Sequence, residues 1–187
     1  MNLVSFAFVD PSMFFATMTL KYGRHFSDND QPRVLTEPPF QDCRHIVLRG
    51  PADGNWGADA EQVDYPLLQQ WPSARTLLED IGRQITTHLA AENLQIGQVA
   101  VRSLNAGAVV GWHADDSNYS KLHHRFQLLV SPCAGGCWYS GGELLAPGVG
   151  NLTYINHSVL HSLINLGPVP QISLVVDARK PPLPTLQ

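Results

Sequence analysis

The sequence predicts a mostly β protein, in which short strands form a double-sheet jelly roll backed by one helix. Two observations lead to this fold class. From residue 98 onwards, short apolar runs alternate with turns rich in glycine, proline and asparagine, as in antiparallel sheets. Before residue 98, one long segment has the apolar spacing of a helix. The strands predicted in the second half are residues 99–104, 108–112, 125–130, 136–139, 152–155, 162–165 and 171–177.

The predicted helix begins at Ser73, because serine is a favoured N-cap residue. Apolar residues then recur at the spacing of one helical face, at Leu77, Leu78, Ile81, Ile85 and Leu89. An apolar stripe of this width normally faces a core. We therefore expect a scaffold helix that covers a sheet.

The residues before this helix carry weaker signals. The elements predicted there are strands at 3–8, 14–20 and 44–49, with a turn at Asp10-Pro11, and a helical turn at 65–70. Polar residues and prolines predict an extended surface segment at 23–42. The predicted loop at 51–64 is long, and loops of this length often cover a functional site.

Length and composition indicate one globular domain over residues 1–187 of this chain. We expect residues 1–97 to supply N-terminal strands, loops and the helix, residues 98–178 the jelly-roll core, and residues 179–187 a surface tail. A net charge of −4 with scattered basic residues argues against a nucleic-acid partner and a membrane partner.

Three cysteines, an odd and low number, argue against a disulfide framework and fit a reducing compartment. The apolar N-terminal stretch lacks a basic region and is interrupted by Asp10-Pro11, so neither a signal peptide nor a membrane span is predicted. A cytoplasmic location is the resulting expectation.

The strongest chemical signal is His113-Ala114-Asp115, followed 46 residues after the aspartate by His161. Residues i and i+2 of a strand project to the same face, so His113 and Asp115 can converge on one ion. Two imidazole nitrogens and one carboxylate oxygen can occupy one face of Fe(II) and leave the opposite positions open. Of the other six histidines, His25, His45 and His88 lie far from this region and are interpreted as surface or packing residues. The adjacent His123 and His124 would point to opposite faces of a strand, and an HxxxH helix that starts at His157 is a poor fit to the neighbouring sequence.

Three segments resemble the aspartyl/asparaginyl β-hydroxylase family. Residues 104–115, LNAGAVVGWHAD, resemble its L-x-P-G-x-x-I-x-x-H-x-D segment, and residues 125–128, RFQL, resemble its R-x-H-hydrophobic strand. Residues 156–177 resemble its N-x-x-x-x-H-x-v-x-N-x-G…R-x-x-L-x-x-D ending. The resemblance extends over most of residues 44–178.

This resemblance implies a double-stranded β-helix, a cupin-like jelly roll, that uses Fe(II) and 2-oxoglutarate. By position, His113, Asp115 and His161 would be the iron ligands. The implied activity is a dioxygenase that hydroxylates a C–H bond of an amino-acid-like, peptidyl or small-molecule substrate.

The sequence departs from the family pattern at two expected cosubstrate contacts. The family has an arginine ten residues after the second metal histidine, where this chain has Gln171, and Gln127 replaces the histidine of R-x-H. A buried dianion needs a cation. We therefore expect Arg102, on a neighbouring strand, to bind the distal carboxylate with Gln171 as a neutral donor. Arg125 is the second candidate, for the proximal carboxylate.

Two other functions stay open at the level of sequence. The chain can be an iron oxygenase that does not use 2-oxoglutarate, because Gln127 and Gln171 weaken the usual cosubstrate site. It can also be a non-catalytic cupin-like protein that binds a metal or a small ligand. Anaerobic titration with Fe(II) and 2-oxoglutarate separates these possibilities.

Overall fold

The computed structural model of the protein describes residues 2–17, 40, 42–54, 60–90, 94–131 and 133–179. Within these ranges the chain forms two antiparallel β-sheets, of seven and four strands, and four helices. The strands are β1 (Leu3–Phe8), β2 (Cys43–Pro51), β3 (Gln62–Asp64), β4 (Ile96–Leu104), β5 (Val109–His113), β6 (His123–Leu129), β7 (Gly136–Ser140), β8 (Glu143–Leu145), β9 (Asn151–Ile155), β10 (His161–Asn165) and β11 (Gln171–Arg179). The helices are α1 (Ser12–Thr17), α2 (Pro66–Gln69), α3 (Pro72–Leu89) and α4 (Asn118–Leu122).

The large sheet contains strands from both ends of the described chain. Its order is β1-β9-β6-β11-β4-β2-β3, whereas the small sheet has the order β5-β10-β7-β8. Every strand pairing in both sheets is antiparallel. These features confirm the predicted jelly roll, and they place β11 at the centre of the large sheet.

The outer face of the large sheet packs against helix α3. Leu77, Ile81 and Ile85 of the helix are buried in one cluster with alternate residues of the central strands, such as Val101 and Leu174. Apolar residues recur about every 3.6 positions in the helix and at every second position in the strands, so both elements direct one apolar face into the same layer. The predicted scaffold helix is confirmed.

The inner face of the large sheet lies against the small sheet. A second apolar cluster joins Leu104 and Leu129 of the large sheet to Val110, Trp138 and Leu163 of the small sheet. The same inner face also carries buried polar side chains, which an apolar core alone would not require. These polar side chains mark the region where the candidate site lies.

The seven predicted strands of the second half are confirmed, with ends that shift by at most three residues. One prediction in the first half is wrong, because residues 14–17 belong to α1 and not to a strand. Asp10 Oδ1 accepts a hydrogen bond from the Ser12 amide at 2.9 Å, and the Phe14 ring stacks on Trp71 at 4.5 Å. This capping bond and this packing contact favour a helical turn. Residues 18–20 lie outside the described ranges.

Helix α3 also begins differently from the prediction. Its N-cap residue is Trp71 and not Ser73, and Pro72 occupies the first helical turn, where a missing N–H has no cost. The pattern did not indicate α4, which Ser117 caps by accepting a hydrogen bond from the Ser120 amide. It also did not indicate the short strands β3 and β8.

Several other predictions can be compared with the structure only in part. The helical turn near residues 65–70 is confirmed as α2. The extended segment at 23–42 lies almost entirely outside the described residues, as do residues 55–59 of the predicted loop and the tail beyond residue 179. The three cysteines are free thiols. No helix in the described part of the chain has the length and apolar character needed to cross a membrane.

Candidate metal centre

His113, Asp115 and His161 lie together at one end of the small sheet. His113 is the last residue of β5, His161 is the first residue of β10, and the two residues are paired in the antiparallel register. Their imidazole centroids are 4.1 Å apart. Asp115 follows His113 by two residues, so the chain leaves the strand with its carboxylate beside both rings. One potential ligand atom from each of the three residues lies within 4.8 Å of the others.

The hydrogen bonds of the two imidazoles fix which ring nitrogen is available. His113 Nδ1 lies 2.7 Å from the Gly111 carbonyl oxygen, and His161 Nδ1 lies 3.0 Å from the Val159 carbonyl oxygen. A carbonyl oxygen only accepts, so each Nδ1 carries the hydrogen and each Nε2 keeps its lone pair. Metal-binding histidines are oriented in this way, with one nitrogen anchored and the other facing the ion.

Burial and charge keep His161 and Asp115 deprotonated at neutral pH. Burial lowers the pKa of His161 to about 4, which outweighs the opposite effect of the Val159 carbonyl. For Asp115, burial alone would raise the pKa, but a hydrogen bond with His157 and the charge of Arg125 hold it below its usual range. At neutral pH the site therefore offers a neutral imidazole and an ionised carboxylate.

Arg125, which the sequence predicted to contact 2-oxoglutarate, lies directly on the Asp115 carboxylate. Its Nη1 donates to Asp115 Oδ2 at 2.6 Å. Its Nε and Nη2 donate to the two carboxylate oxygens of Asp177 at 2.9 and 3.0 Å. Burial alone would lower the pKa of Arg125, but the nearby charge of Asp177 raises it above its ordinary value. Arg125 thus joins the carboxylate of Asp115 to the fully buried carboxylate of Asp177.

Arg102 lies on the inner face of the large sheet, opposite Ser173 of β11. The residue is buried, with 8% of its surface exposed. Its Nε donates to His45 Nε2 at 2.9 Å, and no carboxylate of the described residues forms an ion pair with its guanidinium. Burial lowers the pKa of Arg102. A buried cation without a counter-ion is costly unless an anion binds it.

The two glutamines at the departures from the family pattern also lie on this inner face and are buried. Gln127 Nε2 donates to Ser173 Oγ at 2.6 Å, whereas Gln127 Oε1 has no partner among the described residues. Gln171 Nε2 likewise has no partner there, and the indole N–H of Trp138 on the facing sheet has none either. Buried polar atoms are normally paired, so these unpaired atoms indicate that a polar ligand or water completes the interior.

Two histidines that the sequence analysis did not assign to the site, His45 and His157, contact it. His45 accepts the hydrogen bond from Arg102, and burial lowers its pKa well below its ordinary value. His157 Nδ1 lies 3.1 Å from Asp115 Oδ2, and the Asp115 amide donates to the His157 carbonyl at 2.8 Å. Strand alternation could have placed His45 on one face of β2, but only the register with β4 shows that it meets Arg102.

Comparisons with known proteins found similarity in structure but not in sequence. No protein-family model matches the chain, and no curated protein matches it. The structure is similar to AviO1 from Streptomyces viridochromogenes Tue57, with a TM-score of 0.63 and 15% identity over 98% of this chain and 91% of that one. It is also similar to an oxidoreductase of the 2OG-Fe(II) oxygenase family from Burkholderia pseudomallei, with a TM-score of 0.57 and 11% identity over 90% and 89% of the two chains.

A third similar structure is the viral collagen prolyl hydroxylase vCPH from Paramecium Bursaria Chlorella virus-1, solved as a 2OG complex. Its TM-score is 0.58, with 10% identity over 97% of each chain. At these identities the likeness supports the fold alone. The chemistry of the site must therefore be argued from the residues of this chain.

Proposed function

We propose that the protein is an Fe(II)- and 2-oxoglutarate-dependent dioxygenase that hydroxylates a C–H bond. The observation that carries this proposal is the convergence of His113, Asp115 and His161, with both Nε2 atoms free and the carboxylate ionised. Two nitrogens and one oxygen on one side of an ion suit non-haem Fe(II), and they leave positions for a cosubstrate and dioxygen.

The interior of the jelly roll also fits a dicarboxylate cosubstrate. Arg102 supplies a buried positive charge without a carboxylate partner among the described residues, and Gln171 supplies a buried N–H without an acceptor. A carboxylate placed between them would satisfy both groups. We therefore propose that Arg102 and Gln171 bind the distal carboxylate of 2-oxoglutarate.

Gln127 fits the same role through the orientation of its terminal amide. In the structure its nitrogen donates to Ser173 Oγ, which leaves an acceptor facing the interior. Rotation of the amide by half a turn keeps a bond to Ser173, because a hydroxyl group can also donate. The rotated amide offers an N–H donor to the cosubstrate, so Gln127 is the third residue of the proposed cosubstrate site.

When bound, Fe(II) and 2-oxoglutarate supply the oxygen chemistry of this reaction class. The residues of the chain would bind and orient the ion and the cosubstrate. His113 and His161 present their Nε2 atoms, Asp115 presents one carboxylate oxygen, and Arg102 neutralises one end of the cosubstrate. Phe40 packs edge-on against the His113 ring with centroids 4.9 Å apart, which shields this ligand from water.

We propose an amino-acid-like, peptidyl or small-molecule substrate. The net charge of −4 and the scattered basic residues do not favour a nucleic acid. The similar vCPH structure is named as a collagen prolyl hydroxylase, which makes peptidyl substrates a reasonable part of a screen. The readout of that screen is a mass increase of one oxygen atom in the product.

The test is an anaerobic titration with Fe(II) and 2-oxoglutarate. We expect a metal-to-ligand charge-transfer band in the visible spectrum, and succinate release after air is admitted. His113→Ala removes one ligand and should abolish the band. His88→Ala is a matched control, because His88 stacks on Phe6 at 3.9 Å on the helix side of the large sheet, away from the metal ligands.

The other outcomes of this titration identify the alternatives. Fe(II) binding without the band indicates an iron protein that does not use 2-oxoglutarate, which the glutamines at positions 127 and 171 would explain. The band without succinate release, under any substrate tested, indicates a cupin-like binding protein. Wild-type metal affinity in His113→Ala would refute the metal site itself.

A further inference from the structure

We infer that Arg125 is a positioning residue for the metal ligand Asp115 and not a contact of the cosubstrate. This inference rests on the proposed function, since it concerns the same metal site. It differs from the role expected for Arg125 from the R-x-H strand, where the sequence suggested the proximal carboxylate of 2-oxoglutarate. The evidence is the set of hydrogen bonds that the guanidinium makes.

All three nitrogens of the Arg125 guanidinium already have carboxylate partners. Nε and Nη2 make a two-point contact with Asp177, and Nη1 donates to Asp115 Oδ2. Two-point contact is the strongest geometry for an arginine–carboxylate pair, and it holds the guanidinium plane in one orientation. These contacts use three of the five N–H groups, and two carboxylates already balance the single positive charge, so Arg125 has no excess charge for a cosubstrate carboxylate.

The contacts on Asp115 divide its two oxygens between different tasks. Oδ2 accepts a hydrogen bond from Arg125 Nη1 at 2.6 Å, and His157 Nδ1 lies 3.1 Å from the same oxygen. Oδ1 lies 3.7 Å from His113 Nε2, on the side where the metal ligands converge. Asp115 can therefore bind an ion through one oxygen only. A carboxylate that bound through both oxygens, or rotated, would occupy a position that cosubstrate or dioxygen needs.

The support for Arg125 comes from the rigid centre of the large sheet. Asp177 is fully buried on β11, and it pairs with Arg125 of β6 in the antiparallel register. The Tyr119 hydroxyl lies near Asp177, and it accepts a hydrogen bond from the Gln98 amide at 2.7 Å. Through Arg125, the sheet thus fixes the position of a metal ligand that lies on a connecting segment.

The charges lead to the same assignment. Arg125 lies between two carboxylates, whereas Arg102 has none among the described residues. Without Arg125, the fully buried carboxylate of Asp177 and the half-buried carboxylate of Asp115 would share one region and repel each other. Of the two arginines, Arg102 is therefore the one with charge available for a dianion. Arg125 serves the metal end of the site, and Arg102 serves the cosubstrate end.

The experiment measures Co(II) affinity and the visible Co(II) spectrum without cosubstrate, then 2-oxoglutarate affinity of the Co(II)-loaded protein. We expect Arg125→Gln to weaken Co(II) binding by about 10- to 100-fold, the usual effect of losing a residue that orients a ligand, and to change the spectrum. Arg125→Lys should recover part of both, because a lysine can donate to Asp115 but cannot also hold Asp177 at two points.

Arg49→Gln is the matched control. Arg49 is also an ion-paired arginine of the large sheet, but its partner Asp64 lies on the edge strand β3. We expect wild-type Co(II) affinity and spectrum in this variant. An equal loss of Co(II) affinity in both variants would mean that only general stability had changed, and it would overturn the inference.

Wild-type Co(II) affinity in Arg125→Gln, with weakened 2-oxoglutarate binding, would also overturn the inference and return Arg125 to the cosubstrate. If Arg125→Gln does not fold, Asp177→Asn gives the same test, because it removes one of the two carboxylate partners of Arg125. We expect several-fold weaker Co(II) binding in Asp177→Asn, and unchanged affinity and spectrum would refute the inference. Failure of the wild type to bind 2-oxoglutarate would refute the proposed function while leaving the Co(II) comparison readable.

Discussion

The substitution Arg102→Met tests whether the buried cation serves a ligand or the fold. Methionine keeps an unbranched chain and removes the charge. Losing one partner of a buried, hydrogen-bonded charge pair costs about 2–5 kcal/mol, which corresponds to roughly 30- to 4000-fold in Kd. We expect a loss of 2-oxoglutarate affinity in this range, because Arg102 is the buried arginine whose charge is not taken by a carboxylate of the described residues.

The stability of the ligand-free protein should respond differently. Removing the guanidinium leaves His45 Nε2 without its donor, at a cost of about 1–3 kcal/mol. It also removes an uncompensated buried charge, whose desolvation costs several kcal/mol. These two effects oppose each other, so the free energy of unfolding should change little. Urea unfolding of the ligand-free protein measures this change, and calorimetric titration of the Co(II)-loaded protein measures the affinity.

Arg49→Met provides the comparison, because that arginine donates to Asp64 and to the backbone carbonyls of Gln62 and Ile96. We expect it to lower the free energy of unfolding by about 1–2 kcal/mol and to leave 2-oxoglutarate affinity unchanged. Adding Gln171→Arg to Arg102→Met should restore part of the affinity. If Arg102→Met destabilises the fold more than Arg49→Met and binds 2-oxoglutarate as the wild type does, Arg102 is structural and the reasoning is wrong.

Three further substitutions test the neighbourhood of the site. Burial lowers the pKa of His45, so below pH 6.5 the unfolded chain takes up a proton that the folded chain does not. The free energy of unfolding, measured with urea, should therefore fall by up to about 1.4 kcal/mol per pH unit as the pH decreases below that value. His45→Gln should reduce this slope. In Gly136→Ala, the new Cβ would meet the Gln171 amide, so calorimetry should show several-fold weaker 2-oxoglutarate binding with little change in thermal stability. In Gly167→Ala, the Cβ would meet the Ala134 carbonyl oxygen, so thermal unfolding should show clear destabilisation, and an unchanged Tm would contradict this packing.

The convergence of His113, Asp115 and His161 could be predicted from the sequence because its signal is local or nearly so. His113 ends β5 and Asp115 follows it by two residues, so the spacing keeps the two side chains close although Asp115 lies beyond the strand. His161 needed the additional expectation that a strand returns opposite β5, which the regular alternation of strands and turns supplied. The jelly roll itself followed from the same alternation, since each strand presents one apolar face to a core.

The residues around the ligands were harder to predict because their contacts depend on strand register. His45 meets Arg102 only because β2 and β4 pair in one particular alignment, and a shift of one residue would turn either side chain to the opposite face. The early helix was missed for a related reason. Phe14 belongs to a run that is apolar enough for a strand, and its helical conformation depends on packing against Trp71, far along the sequence.

The replacement of charged residues by Gln127 and Gln171 does not by itself argue against a dianionic ligand, because the inner face of the sheet keeps its buried positive charges. Arg102 stands opposite Ser173 in the register, two residues along β11 from Gln171, so a buried cation lies on the strand next to the position where the family pattern has its arginine. A neutral amide at position 171 also avoids placing a second buried guanidinium beside Arg102, where like charges would repel. The arrangement therefore favours one arginine for the cosubstrate and one for Asp115, and this division is what the paired substitutions at 102 and 125 measure.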